Sequence, residues 1–125
     1  MTAATPLFVV AIIQARMNSL RLPGKAMLEI QGRTILGHVA DRLHRCTTID
    51  GLYVATSTDT HDDAIAAFAA TEGISLHRGS PDDVAAHLRD AVTAATADAL
   101  VRINADSPLI DTAIIDHAVT LFRLA

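Results

Sequence analysis

The chain alternates between short, wholly apolar runs and longer stretches in which apolar positions recur every three or four residues. Leu7 to Ile13 (LFVVAII) is uninterrupted and of strand length, which suits a central parallel strand covered on both faces. Ile35, Leu36, Val39 and Leu43 then recur at helical spacing and predict a helix from about Thr34 to about Arg45. Leu52 to Ser57 (LYVATS) reads as a second strand. Asp59 or Thr60 can cap a helix that carries Ile65, Phe68 and Ala69 and stops at Gly73. ISLHR, from Ile74, is a shorter third strand. Ser80-Pro81-Asp82-Asp83 has the composition of a helix start, with Val84, Leu88, Ala91 and Val92 as the apolar face behind it. ALVRIN, ending at Asn104, is the fourth strand. Asp111 caps a last helix bearing Ile114, Ile115, Ala118, Val119 and Phe122.

Four strands alternating with four helices predict a three-layer α/β/α domain with a mainly parallel, Rossmann-like sheet and right-handed crossovers. The uninterrupted first run belongs in the centre and the more polar ISLHR at an edge, so the expected spatial order is 3-2-1-4. Ligands in such sheets sit beyond the carboxyl ends of the strands, near a switch in strand order. If the first and fourth strands are neighbours, the segments after Ile13 and after Asn104 face one crevice.

Length and composition narrow the picture. At 125 residues, 1–125 is expected to be a single domain, and half of it is hydrophobic with only four aromatic side chains. A net charge of −4 argues against nucleic acid as a partner through bulk charge. The apolar run near the start is too short to span a bilayer, so no membrane partner is expected. Cys46 is the only cysteine, which fits a reducing, cytoplasmic setting.

Against this acidic background stands a local cationic loop. Arg16, Arg21 and Lys25 fall within ten residues, in QARMNSLRLPGK. Like charges held this close repel unless an anion sits among them. Arg binds phosphate bidentately, Lys supplies a mobile point charge, and Gly24 permits a close backbone approach. The loop is neither a Walker A nor a dinucleotide motif. The competing reading is a solvated loop whose cations pair with surface acids. Asp106, just past the fourth strand, can hold magnesium or can simply cap the turn before Ser107-Pro108. HRGSPDD can be a nucleotide contact or an unoccupied helix start. Thr56, Ser57 and Asn104, at strand ends, can also read a nucleotide. The six histidines lack zinc spacing, and no nucleophile-elbow motif occurs.

IIQARMNSLRLPGKAMLEIQGRTILGHVADRL resembles the N-terminal signature of the cytidylyltransferase family. It is most similar to the spore-coat polysaccharide biosynthesis branch, and more distantly to the synthetases that activate deoxy-octulosonate and neuraminate sugars. IDGLYVATSTD, HRGSPDDV and RINADSPLID follow in the order of that family, so the resemblance runs from Leu7 to about Ala118. It implies the nucleotide-binding half of a nucleotide-diphospho-sugar transferase (GT-A-like) fold. It further implies transfer of a nucleotidyl group from CTP to a sugar or sugar acid, for polysaccharide biosynthesis. Arg16, Arg21 and Lys25 would then hold the triphosphate, with Ala15 and Ser19 adding backbone and hydroxyl contacts. Arg78, Gly79, Ser80, Asp83 and Asn104 would lie near base and ribose. Asp106 would hold Mg2+, and Arg16 and Lys25 would stabilise the departing pyrophosphate during catalysis. Asn18 stands where the family commonly has Gly, and Leu20 where it commonly has a small hydroxyl residue.

Members of that family are about twice as long as one such half. The missing half would carry sugar-binding strands, homodimer contacts and a second metal-binding acid. The chain is therefore expected to be half of a longer enzyme, or a short product that binds nucleotide without complete chemistry. Poor turnover by the 125-residue chain and uncovered apolar surface around Ile114, Ile115, Val119 and Phe122 are the corresponding expectations. The alternative function is a non-catalytic nucleotide-binding or assembly module.

Overall fold

The computed structural model describes residues 7–17, 23–79, 84–105 and 109–124. Its main sheet has four parallel strands: β1 (Val9–Gln14), β4 (Gly51–Ser57), β5 (Ser75–Gly79) and β6 (Ala99–Asn104). Their spatial order is β5-β4-β1-β6, the 3-2-1-4 order expected from the sequence. Four helices connect and flank them: α1 (Ile35–His44), α2 (Asp63–Glu72), α3 (Val84–Ala94) and α4 (Thr112–Leu124).

The crossover rule accounts for where the helices lie. The chain moves outward from β1 to β4 to β5, then returns across the sheet to β6. Right-handed connections therefore put α1 and α2 on one face and α3 on the other. The core divides accordingly. Val9, Ala11 and Ile13 of β1 pack with Leu36, Val39 and Leu43 of α1, Ile65 of α2, and Ile115 and Val119 of α4. Val10 and Ile12 point the other way, to Ala91 and Ala95 on α3 and its following turn. β1 is buried on both faces, which is why its sequence shows no polar alternation.

Boundaries differ in instructive places. β1 starts two residues later than its apolar run. Leu7 and Phe8 are exposed, and the Phe8 N–H donates to Asp98 Oδ2 instead of joining the ladder. Hydrophobicity alone cannot show where strand pairing begins. A small antiparallel hairpin was not foreseen: β2 (Glu29–Ile30) and β3 (Arg33–Thr34) turn through Gln31 and Gly32, both with positive φ. Two-residue strands leave no periodic signal. Arg33 ties this hairpin down, donating to Asp41 of α1 at 2.6 Å and also to Glu72 of α2. Thr34, the expected first residue of α1, is instead its cap, accepting from the Gly37 N–H, and Gly73 ends α2 as expected, in the left-handed conformation. Asp59 caps not a helix but a 3-10 turn, Thr60–Asp62, that leads into α2. The expected start of α3 at residues 80–83 lies outside the described residues.

Beside the edge strand β6, Ile115 and Val119 are buried, whereas Ile114 and Phe122 of α4 are 67% and 50% exposed. They line an apolar cleft of about 290 Å3 with Leu100 and Val101 of β6.

Candidate nucleotide site

β1 and β6 are paired neighbours, in register from Val9↔Ala99 to Gln14↔Asn104. The chain runs outward from β1 to β4 and β5 and then crosses back to β6 on the other side of β1, so the carboxyl ends of β1 and β6 bound the switch in strand order at which parallel sheets bind ligands. The cationic loop leaves one of these ends and the Asp106 segment leaves the other.

The neck of the loop is tightly tied. The Ala15 N–H donates to Ala55 O at 3.0 Å, and Ala15 O accepts from the Thr56 hydroxyl at 2.7 Å. The Met17 N–H donates to Asp62 Oδ1 at 2.8 Å, and Met17 O accepts from the Gly24 N–H at 2.6 Å. Gly24 has φ 76°, the left-handed conformation that costs an L side chain energy, and it opens the 3-10 turn Lys25–Met27. Gly24 thus serves to return the chain to Met17. Ser19 and Arg21 lie outside the described residues.

Arg16 emerges from the neck exposed, and Lys25 is half-buried on its other side. Neither forms an ion pair with the described residues, whereas Arg33, Arg78 and Arg123 all do. The surface-pairing alternative therefore fits other arginines of this chain better than these two cations. Asp59 is held below the usual carboxylate range. Its main cause is the His61 backbone N–H, then the His61 side chain, with Arg16 a smaller contributor.

The other expected contacts are distributed as follows. Asn104 is exposed at the end of β6, beside Gln14. Gly79 ends β5, and its carbonyl accepts from the Thr58 N–H. The Arg78 guanidinium braces the β4–α2 connection, donating to Ser57 O, Asp59 O and Asp63 Oδ1 at 2.8–2.9 Å. Ser80, Asp83 and Asp106 lie outside the described residues. Thr56 and Ser57, read as nucleotide contacts from their position at a strand end, are 1% and 2% exposed. Their hydroxyls bind Ala15 O and Asp62, so they support the loop from beneath and do not face a ligand.

Sequence reasoning missed Asp62 and Gln14. Asp62 pairs with a residue 45 positions away, which no local pattern signals. Gln14 Oε1 is buried with no hydrogen-bond partner among the described residues, at the carboxyl end of the central strand. An orphaned acceptor there is open to a ligand donor. Among the described residues no group of three or more His, Cys, Asp or Glu is arranged to hold a metal. The Ala105 N–H donates to Gln14 O, which keeps the backbone that enters Asp106 against the end of β1. No described helix is long and apolar enough to cross a membrane.

The family model for cytidylyltransferases matches residues 10–123. The chain belongs to the cytidylyltransferase family. It is similar to the structure of a cytidylyltransferase from Leptospira borgpetersenii serovar Hardjo-bovis, with 39% identity and a TM-score of 0.88, covering 93% of this chain and 49% of that one. It also resembles a CMP:2-keto-3-deoxy-manno-octonic acid synthetase complexed with CTP, with 26% identity, a TM-score of 0.79 and coverage of 93% and 47%. Among curated relatives, the spore coat polysaccharide biosynthesis protein SpsF of Bacillus subtilis is 30% identical over 112 residues, 86% of this chain and 47% of that protein. The chain spans about half the length of the curated relatives it matches. The α/β fold with its mainly parallel sheet is that of nucleotide-sugar transferases, as the resemblance implied.

Proposed function

We propose that this chain is the nucleotide-binding half of a cytidylyltransferase that transfers a cytidylyl group from CTP to a sugar or sugar acid for polysaccharide biosynthesis. The observation that carries this reading is the tied neck of the cationic loop at the β1–β6 switch point, with Arg16 and Lys25 unpaired among the described residues on either side of it. In this reading Arg16, Arg21 and Lys25 hold the triphosphate, supported by Ala15 and Ser19, and Arg16 and Lys25 neutralise pyrophosphate as it leaves. Arg78, Gly79, Ser80, Asp83 and Asn104 approach base and ribose. Asp106 holds Mg2+, whose chemistry is to draw charge from the phosphate oxygens. The tied neck supports this reading by fixing the backbone at Met17 and Gly24, next to Arg16 and Lys25. A cytoplasmic setting is supported by the single free, buried Cys46. Homodimer formation belongs to the same reading.

Calorimetric titration of CTP in the presence of magnesium tests the assignment. Arg16→Ala and Lys25→Ala should each weaken binding by about tenfold or more while the thermal transition stays in place, because neither side chain supports the core. Unchanged affinity in both variants contradicts the assignment. A non-catalytic nucleotide-binding module would bind CTP equally well, and robust pyrophosphate release with sugar acceptors would exclude it.

A further inference from the structure

Asp62 occupies the N-cap position of α2, yet its side chain makes no cap hydrogen bond to that helix. Aspartate at this position ordinarily accepts from the first helical N–H groups. Here the carboxylate is only 3% exposed and turns away from its own helix. A buried carboxylate is costly unless its oxygens are satisfied, so the two partners it takes define its role. Oδ1 accepts from the Met17 N–H at 2.8 Å, and Oδ2 accepts from the Ser57 hydroxyl. The Ser57 oxygen in turn accepts from the Asp59 N–H at 3.1 Å, which fixes the hydroxyl and so the carboxylate.

The Met17 N–H belongs to the peptide that joins Arg16 to Met17. We propose that Asp62 is a positioning residue for the cationic loop: it locks the Arg16–Met17 peptide plane, and so the direction in which Arg16 leaves β1. The Gly24 N–H locks the same residue from the other side, through Met17 O. Neither bond contributes to the sheet ladder. Both act on the neck of the loop, at Met17. Asp62 needs no contact with substrate to do this; it acts through Met17. Its significance for nucleotide affinity rests on reading the loop as the phosphate site, while its effect on the neck does not.

The test compares wild type with Asp62→Ala, Asp62→Asn and Ser57→Ala by amide hydrogen exchange and by CTP titration with magnesium. In Asp62→Ala, exchange at Met17 and Gly24 should accelerate by about tenfold or more, with Ile12, Ile13 and Val54 protected as before. CTP affinity should fall about tenfold in parallel. Asn retains an acceptor for the Met17 N–H, so Asp62→Asn should recover most of both losses, and it keeps the comparison possible if the alanine variant does not fold. Ser57→Ala should fall between Asn and Ala. Acceleration at Ile12 and Val54 in step with Met17 would reduce Asp62 to a general stabiliser and overturn the proposal, as would unchanged exchange at Met17. A wild-type chain that binds no CTP contradicts the nucleotide reading alone; the exchange pattern then decides the role of Asp62 by itself.

Discussion

At the scale of single residues, the candidate site is made by groups whose side chains point where a one-dimensional pattern cannot show. Arg16 and Lys25 were legible because charge clustered on an acidic chain is visible in any sequence. Thr56 and Ser57 were legible as a strand end but not in direction, and both hydroxyls turn inward to support the loop. Asp62 was invisible because its partner is distant in sequence. Gly24 was read as room for a ligand; its left-handed φ of 76° gives it a second, structural task at the neck. Among the described residues an added Cβ would meet only Met17 Cε, at an ordinary 3.6 Å. The cost of Gly24→Ala is therefore backbone strain, about 1–2 kcal/mol. That variant should lower the midpoint of thermal unfolding by a few degrees and raise hydrogen exchange at Met17, and a differential scan with an exchange measurement checks both.

At the scale of elements, α4 shows how this domain is closed. Its carboxylate Asp116 accepts from the Thr47 and Thr48 N–H groups at 3.1 Å and from the Thr48 hydroxyl at 2.5 Å. Arg123 donates to Leu7 O, Thr48 O and Asp50. These bonds hold Asp116 below the usual carboxylate range, chiefly through the Thr48 hydroxyl, and Asp50 likewise, chiefly through the Val9 N–H and then Arg123. Both carboxylates hold protons less tightly in the folded chain than in the unfolded one. Their contribution is complete above the ordinary carboxylate pKa of about 4 and is lost as pH falls through the lower folded values. Thermal stability should thus decline on acidification below about pH 4, and Asp116→Asn should be less stable at neutral pH with a shallower acid decline. A parallel decline in wild type and variant would contradict this account of α4. The helices and the strand order were legible because long periodic segments and crossover handedness leave few alternatives. The β2–β3 hairpin was not, because Gln31 takes a positive φ that its residue type does not announce.

At the scale of the molecule, strand order and loop chemistry converge on one end of the sheet. The uninterrupted apolar run of β1 dictates its central place, and that place makes β6 its neighbour and sets the switch point between them. The sequence could give this much because burial on both faces leaves a continuous apolar signature. It could not give the exposed apolar side of α4, since Ile114 and Ile115 are alike in type and opposite in exposure. In the proposed function CTP binds where β1 and β6 end. The most direct measurement is a backbone amide NMR titration of the chain with CTP and magnesium, resolving every described strand end at once. Shifts should concentrate at Arg16, Met17, Gly24 and Lys25 on one side and at Asn104 and Ala105 on the other, with Val9, Gly51 and Ala99 at the opposite end of the sheet unmoved. Saturating CTP that leaves the first set unshifted, or that shifts the amino ends of the strands instead, would contradict the account.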